Sequence, residues 1–568
     1  MTSESDTGVR YWRGLGLWNV YFIAKLILFW AGYLNFHAYY NLVFASILLL
    51  PLPPLWLHRL RHVLAIPVGI GLLYYDSWFP PISRLLERPE VLQFSAPYLL
   101  ELVNRFINWN MVGAGILLFV ACLFLAQWVR VTVLSVGALV ICSMPAEYGG
   151  RQLLQNLQAG YATGIDVQAQ SAGQPGDGSK RPDGNGAAME EGASGAAVPA
   201  TTPRTQRSIT EILNGALAAF HEAEAKRTSA FGADAGTART TDFDIIVLSI
   251  CSLGWSDLST AQLDQHPLFR NMDVIFDNFN AATAYSGPAI RRLLRASCGQ
   301  TSHSALYDDS PDDCYLFENL RNLGFQTQAV LNHNGKFQDF LGDLTMHPSL
   351  GEPLIPEALP PRWTAFDGSP VWGDFETLDY WWQMRPTDAT RRATLYNSIT
   401  LHDGNREATA DGGGRAAPYA TRGKALLDDL HHFIRRLEGL GKPVVVVFVP
   451  EHGAALSGDL MQIAGMREIP TPGITHIPVG LKIIGHPAGS APAGQRISGD
   501  TSYLALSELL SRLLRQSVFD QEAIDWSELT SDLPLTRPVS ENSGTVLMTY
   551  NAVPFVRLGE REWIQYRQ

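Results

Sequence analysis

A chain of 568 residues is too long for one compact core and predicts two or three folded units. Its formal net charge of −12 supplies no basic stripe to replace the counterions around phosphates, which excludes a nucleic-acid binder. Apolar residues crowd the first 150 positions, whereas the remainder has the composition of an ordinary soluble protein.

In that first part, FIAKLILFWAGYL, LVFASILLLPLPPLWL, VLAIPVGIGLLYY, MVGAGILLFVACLFLAQW and VTVLSVGALVICSM follow one another with few internal charges. A spanning helix needs about 20 mostly apolar residues, and the pattern predicts five, near 16–35, 38–57, 62–79, 109–128 and 131–146. Residues 1–150 therefore read as a transmembrane helical bundle. The first run lacks a small-residue cleavage site, so it is not a removable signal peptide. Arg10 and Arg13 before the first span, His58, Arg59, Arg61 and His62 in the second turn and Arg130 in the fourth place those segments in the cytoplasm. Five spans then put the carboxy-terminal part of the chain on the far, periplasmic side of the membrane. Cys122 and Cys142 lie within the apolar runs and read as small hydrophobes.

Residues 151–205 include SAGQPGDGSKRPDGNGAAMEEGASGAAVPATTP, which has no hydrophobic period and reads as a partly disordered tether. A soluble domain is expected over 206–568. FDIIVLSI (243–250), VVVVFV (444–449) and IPVGLKII (477–484) have the continuous apolar, β-branched character of buried strands. ALLDDLHHFIRRLEGLG carries Leu426, Leu430, Phe433, Ile434 and Leu437 on one helical face, and YLALSELLSRLL (503–514) reads as a second helix. Alternation of strand and helix predicts an α/β/α sandwich on a mainly parallel sheet. In an exported domain Cys298 and Cys314 are close enough to form a disulfide, which leaves Cys251 unpaired.

Sites in such sheets lie beyond the carboxyl ends of the strands, and three segments fall there. Cys251 follows the first strand, Glu451-His452-Gly453 follows the second, and Tyr285-Ser286-Gly287-Pro288 opens a helix whose amino terminus favours a phosphate. Taken singly, Cys251 can be a buried core residue, Glu451 a cap and His452 a surface side chain. Together, thiolate, carboxylate and imidazole make three zinc ligands, with the fourth position open to Ser286. A metal-bound serine oxygen would be a nucleophile at neutral pH.

The stretches DIIVLSICSLGWSDL, FDNFNAATAYSGPAIRRLLRASCGQTSH, LYNSITLHDGNR and VFVPEHGAAL with GMREIPTPGITHIPVG resemble the phosphoethanolamine transferases of the alkaline phosphatase superfamily. The resemblance is closest to the branch found in bacterial cellulose secretion systems. It implies Ser286 as nucleophile, Cys251, Glu451, His452 and Ser286 around Zn2+, and Tyr285, His402 and Arg467 beside them, with Arg467 and His402 on the non-bridging phosphate oxygens. Relatives that modify lipid A usually carry an acidic first ligand, a threonine nucleophile and Asp-His-Gly; this chain departs at all three. His303, His333 and His476 read as structural histidines.

The implied reaction is ping-pong: phosphoethanolamine passes from phosphatidylethanolamine to Ser286 and then to the C6 hydroxyl of a cellulose glucosyl unit, beside the cellulose synthase complex of the inner membrane. Two alternatives stay open. One is a transferase or hydrolase of the same superfamily acting on lipid A or another ester, and the other is a non-catalytic membrane scaffold of the secretion complex.

Overall fold

The computed structural model describes residues 14–52, 55–77, 109–144, 208–232, 241–386, 390–410, 414–487 and 494–567. The expected tether at 151–205 and the basic residues Arg10 and Arg13 lie outside them. The described residues form two compact units, one before residue 145 and one from Ile209 onward.

Among the described residues the first unit holds five helices, Trp18–Trp30, Ala38–Leu49, Leu55–Asp76, Trp109–Leu125 and Val131–Ser143, one for each expected span. Most are shorter than expected. The second stops at Leu49, just before the proline-rich PLPP segment, because proline has no N–H to continue a helix. The basic group His58, Arg59, Arg61 and His62, expected in a turn, lies instead on the early part of the third helix. Among the described residues, no helix is both long and apolar enough to cross a membrane. Four have 12 to 17 residues, and the 22-residue third helix carries Arg59, Arg61 and Asp76. Phe22, Phe44, Ala45, Leu48 and Leu139 form the core of this unit.

Inside that core lies a polar cluster. Lys25, 1 % exposed, contacts the fully buried Asp76 at 2.6 Å. Lys25 also donates to Asn41 Oδ1 at 2.8 Å, while Asn41 Nδ2 donates to Asp76 Oδ2 at 2.7 Å. His37 Nδ1 meets Asp76 Oδ1 at 2.8 Å.

The second unit is built on a seven-stranded sheet of β1 (Asp244–Ile250), β2 (Val274–Asn280), β3 (Gln326–Leu331), β4 (Arg392–Ser398), β5 (Val444–Phe448), β6 (His476–Ile484) and β7 (Gln495–Thr501). Their order is β7-β2-β6-β5-β1-β4-β3. All pairings are parallel except those of β6, which runs antiparallel to both β2 and β5. Successive side chains of a strand face opposite ways, and β1 shows the consequence. Ile245 and Val247 pack with Ile290, Leu316 and Leu506 on one face, while Ile246, Leu248 and Ile250 pack with Trp381, Leu426 and Phe433 on the other. The expected α/β/α sandwich is thus formed around a sheet buried on both faces. The carboxyl ends of β1, β4 and β5 lie side by side, with Val447 opposite Val247 and Leu395 opposite Val247 across the other edge.

A smaller antiparallel sheet begins with Val539–Asn542 and Thr545–Tyr550 and packs against the helix Ile209–Glu224 through Leu213, Phe220, Val546 and Trp563. Cys298 and Cys314 are joined by a disulfide.

Candidate metal centre and active site

The ladder between β1 and its neighbours continues beyond the strand ends and delivers three side chains to one point. Cys251 N donates to Ser398 O at 2.9 Å, Glu451 N to Ile250 O at 2.9 Å and Leu253 N to His452 O at 2.7 Å. The chain turns sharply at each end. Ser252 has a positive φ of 62°, and a Cβ on Gly453 would stand 2.7 Å from Asp257 Oδ2. Asp257 clamps the two turns, accepting from Gly254 N, Ala454 N and Leu456 N at 3.0, 2.7 and 3.1 Å.

Ser286 opens the helix Ser286–Leu294 and faces the same point, half-buried. Its Oγ lies 3.4 Å from Cys251 Sγ and 3.4 Å from His452 Nε2. Cys251 Sγ is 4.0 Å from His452 Nε2, which is 4.0 Å from Glu451 Oε2. Cys251, Glu451 and His452 are buried, and their ligand atoms all lie within 4.8 Å of one another.

These donors fit a tetrahedral ion. Ligands about 2.0–2.3 Å from zinc stand roughly 3.3–3.8 Å apart, close to the spacings of the Ser286, Cys251 and His452 atoms. Glu451 Oε1 accepts from Asn397 Nδ2 at 2.6 Å, but Oε2 is buried without a hydrogen-bond partner. His452 Nδ1 donates to Gly453 O at 2.8 Å, which leaves Nε2 with its lone pair toward Cys251 and Ser286. Burial pushes the Cys251 thiol up to about 12, raises the Glu451 carboxyl and lowers His452 well below the usual imidazole range, so each is driven toward its uncharged form. A divalent cation would reverse that preference for the thiol and the carboxyl, while the neutral imidazole is already the form that binds a metal.

The neighbours expected from the sequence, Arg467, Tyr285 and His402, lie around these residues. Arg467 Nη1 lies 3.1 and 3.3 Å from the two ring nitrogens of His452 and 3.5 Å from Ser252 Oγ, and its guanidinium sits 5.5 Å over the Tyr285 ring. Tyr285 Oη donates to Glu468 Oε1 at 3.1 Å. His402 stacks on Phe366, with ring centres 4.7 Å apart, and donates from Nδ1 to Asp403 O at 2.9 Å. Burial and the nearby Arg467 charge push His402 down to about 4. That favours the neutral ring, so of the two side chains expected as positive or hydrogen-bonding groups, Arg467 is the one that brings charge and His402 one that hydrogen-bonds.

The profile of the cellulose biosynthesis protein BcsG C-terminal domain matches residues 197–563, and that of the BcsG N-terminal domain matches residues 18–144. The chain is 44 % identical over 563 residues to the cellulose biosynthesis protein BcsG of Escherichia coli K12, spanning 98 % of this chain and 97 % of that protein. This chain belongs to the BcsG family. The BcsG of Salmonella typhimurium LT2 is 43 % identical over the same span and shares. Among solved structures, an alkaline phosphatase superfamily protein from Vibrio parahaemolyticus aligns with a TM-score of 0.43 at 11 % identity, covering 62 % of this chain and 87 % of that one. The C-terminal periplasmic domain of EcEptC from Escherichia coli, in complex with Zn, aligns with a TM-score of 0.39 at 13 % identity, covering 60 % and 95 %.

Several residues of this BcsG-family site carry no local motif. His333, expected to be structural, is buried and accepts from Gly335 N through Nδ1, so its Nε2 donates to Asn397 Oδ1 at 2.9 Å. A relay from His333 through Asn397 thus holds Glu451. Asn542 accepts from Ala284 N at 3.0 Å and donates to Arg467 O and Glu468 O at 2.8 and 3.0 Å, tying the Ser286 turn to the Arg467 loop. His476 bonds Asp277 O at the start of β6 and His303 N donates to Glu541, both as parts of the framework. Asn397 lies within the LYNSITLHDGNR stretch, where nothing local set it apart from its neighbours.

Proposed function

We propose that this chain is a zinc-dependent phosphoethanolamine transferase that modifies cellulose. The observation that carries this reading is the convergence of Ser286, Cys251, Glu451 and His452 on one point with Glu451 Oε2 left unpartnered. These four residues would hold Zn2+, whose charge makes a serine oxygen nucleophilic at neutral pH. Membership of the BcsG family, a family of cellulose biosynthesis proteins, supports cellulose as acceptor.

In the first half-reaction the Ser286 oxygen bonds to the phosphorus of phosphatidylethanolamine as the phosphorus–oxygen bond to diacylglycerol breaks and that oxygen takes up a proton. Arg467 receives the non-bridging oxygens. In the second half, the C6 hydroxyl of a glucosyl unit bonds to phosphorus and the Ser286 bond breaks. The proton released by that hydroxyl ends on the departing Ser286 oxygen, with His402 as a neutral hydrogen-bonding neighbour.

A lipid donor gives the helical unit a purpose. We read residues 1–150 as its anchor in a bacterial inner membrane next to the cellulose synthase complex, with 206–568 in the periplasm; the five apolar helices and the BcsG N-terminal domain match support this. Solid-state phosphorus and carbon NMR of cellulose made with and without the protein tests the reading. Phosphoethanolamine on C6 only in its presence is expected, and unmodified cellulose alongside modified lipid A would transfer the activity to the other acceptor.

A further inference from the structure

We propose that the second unit binds a small monovalent anion of the halide class in a recess behind the Ser286 helix, held by Arg292 and Arg295. Arg291, the first of the three arginines here, is already paired with Asp343. The other two are 3 % and 6 % exposed. Arg292 donates from Nη1 to Thr301 O at 3.0 Å, while its buried Nε and Nη2 have no partner. Arg295 donates to Ala305 O and Asp308 O, and its buried Nε has none. The direct contacts of these two guanidinium groups are thus neutral carbonyls and, for Arg295, the face of the Tyr315 ring 5.5 Å away.

A carboxylate does not close this gap. Glu541 is the acid whose field reaches Arg292, but its oxygens are taken by His221 Nε2 at 2.8 Å and His303 N at 2.5 Å. A recess of about 40 Å³ lies beside the two arginines, lined also by Gln300, Tyr503, Thr536 and the Cys298–Cys314 disulfide. Thr536 Oγ1 is buried there without a partner, as is Gln300 Oε1, whose amide orientation is set by donation from Nε2 to Val539 O at 2.8 Å. Unmet donor groups therefore outnumber acceptors: three guanidinium nitrogens and the Thr536 hydroxyl hydrogen against the Gln300 amide oxygen and the Thr536 hydroxyl oxygen. Water alone satisfies the amide but leaves two buried guanidinium groups with no anion in contact, which is costly in a low-dielectric interior. A halide with one water suits both the donors and the space, since about 10–15 Å³ of such volume holds one water. The ion would tie the helix that starts at Ser286 to the disulfide loop and to the segment at Thr536.

The inference stands apart from the proposed catalytic chemistry and is tested on the purified full-length protein. Replacing sodium gluconate by sodium chloride at constant ionic strength should raise Tm along a saturable curve, and bromide should do the same. Crystals grown in bromide should show an anomalous peak beside Arg292 and Thr536. Thr536→Val keeps the side-chain volume while removing one donor, and should weaken half-saturation about tenfold with Tm in gluconate unchanged. Three results would overturn the assignment: no bromide peak, equal responses to gluconate and chloride, or half-saturation unaltered in Thr536→Val. A peak seen only at crystal concentration, with no Tm response to chloride, counts against it equally.

Discussion

The helical unit and the sandwich unit both bury polar side chains, and they treat them in opposite ways. In the helical unit Lys25, Asp76, Asn41 and His37 satisfy one another, and both Asp76 oxygens have partners. At the strand ends of the sandwich, Glu451 keeps an oxygen unpartnered while a thiol, a hydroxyl and an imidazole nitrogen crowd within 3.4 to 4.0 Å. Buried polar groups in proteins are almost always paired. A closed network therefore marks a joint between elements, and an open one marks a place reserved for something else.

The sharpest way to break that contrast is to remove the nucleophile. Ser286→Ala should cost at most about 1 kcal/mol of stability, the worth of a residue at a helix start, yet abolish the covalent adduct and lower transfer by at least about a thousandfold. Thermal unfolding reads the first effect, and mass spectrometry of the Ser286 peptide after incubation with a phosphoethanolamine donor reads the second. Transfer near the wild-type rate would move the chemistry to another residue.

A closed network makes the reverse prediction: loss of stability without loss of chemistry. Lys25→Met leaves Asp76 as an uncompensated buried charge and should destabilise the helical unit by about 3–5 kcal/mol. Lys25→Met with Asp76→Leu should recover most of it, while adduct formation on Ser286 stays at wild-type level in all of them. A single variant as stable as wild type would show that the cluster does not join these helices.

A smaller effect tests the relay behind the metal ligand. Asn397→Ala frees Glu451 Oε1 and the His333 ring, and loss of such an outer partner typically weakens a metal site 10–100-fold. Zinc retention against a graded chelator series measures it. Unchanged retention would reduce Asn397 to packing.

The smallest expected effect concerns a buried acid with partners but no opposing charge. Asp374 accepts from Tyr396 Oη at 2.7 Å and Thr400 Oγ1 at 2.6 Å, and burial pushes it up to about 7, above the ordinary value near 3.9. The folded state then holds a proton that the unfolded state has lost, so this contribution is fully present below about pH 4 and fades as pH rises toward 7. Asp374→Asn should remove up to about 1.4 kcal/mol per pH unit of that slope. Denaturant midpoints between pH 4 and 7 decide it, and an unaltered slope means Asp374 is ionised in the fold.

By itself the sequence determined what is local or periodic. The β-branched runs at 243–250 and 444–449 are strands because only a sheet buried on both faces takes uninterrupted apolar side chains. The helical period between them sets Leu426 to Leu437 on one face, and Cys251, Ser286, Glu451 and His452 could be named from their places at strand and helix ends. Its limits appear where meaning depends on distance along the chain. The amphipathic alternation of VIFDNFN and RATLYNS was too weak to mark β2 and β4, whose burial comes from neighbours far away in sequence. Prolines and charges set helix ends in the first unit at places an apolar count overlooks. Tertiary structure alone decided that Asn542 joins the Ser286 turn to the Arg467 loop, that His333 reaches Glu451 through Asn397, and that burial lowers His402. Each of these follows from burial and hydrogen bonding between segments more than 50 residues apart, or from desolvation, and neither has a signature in local sequence.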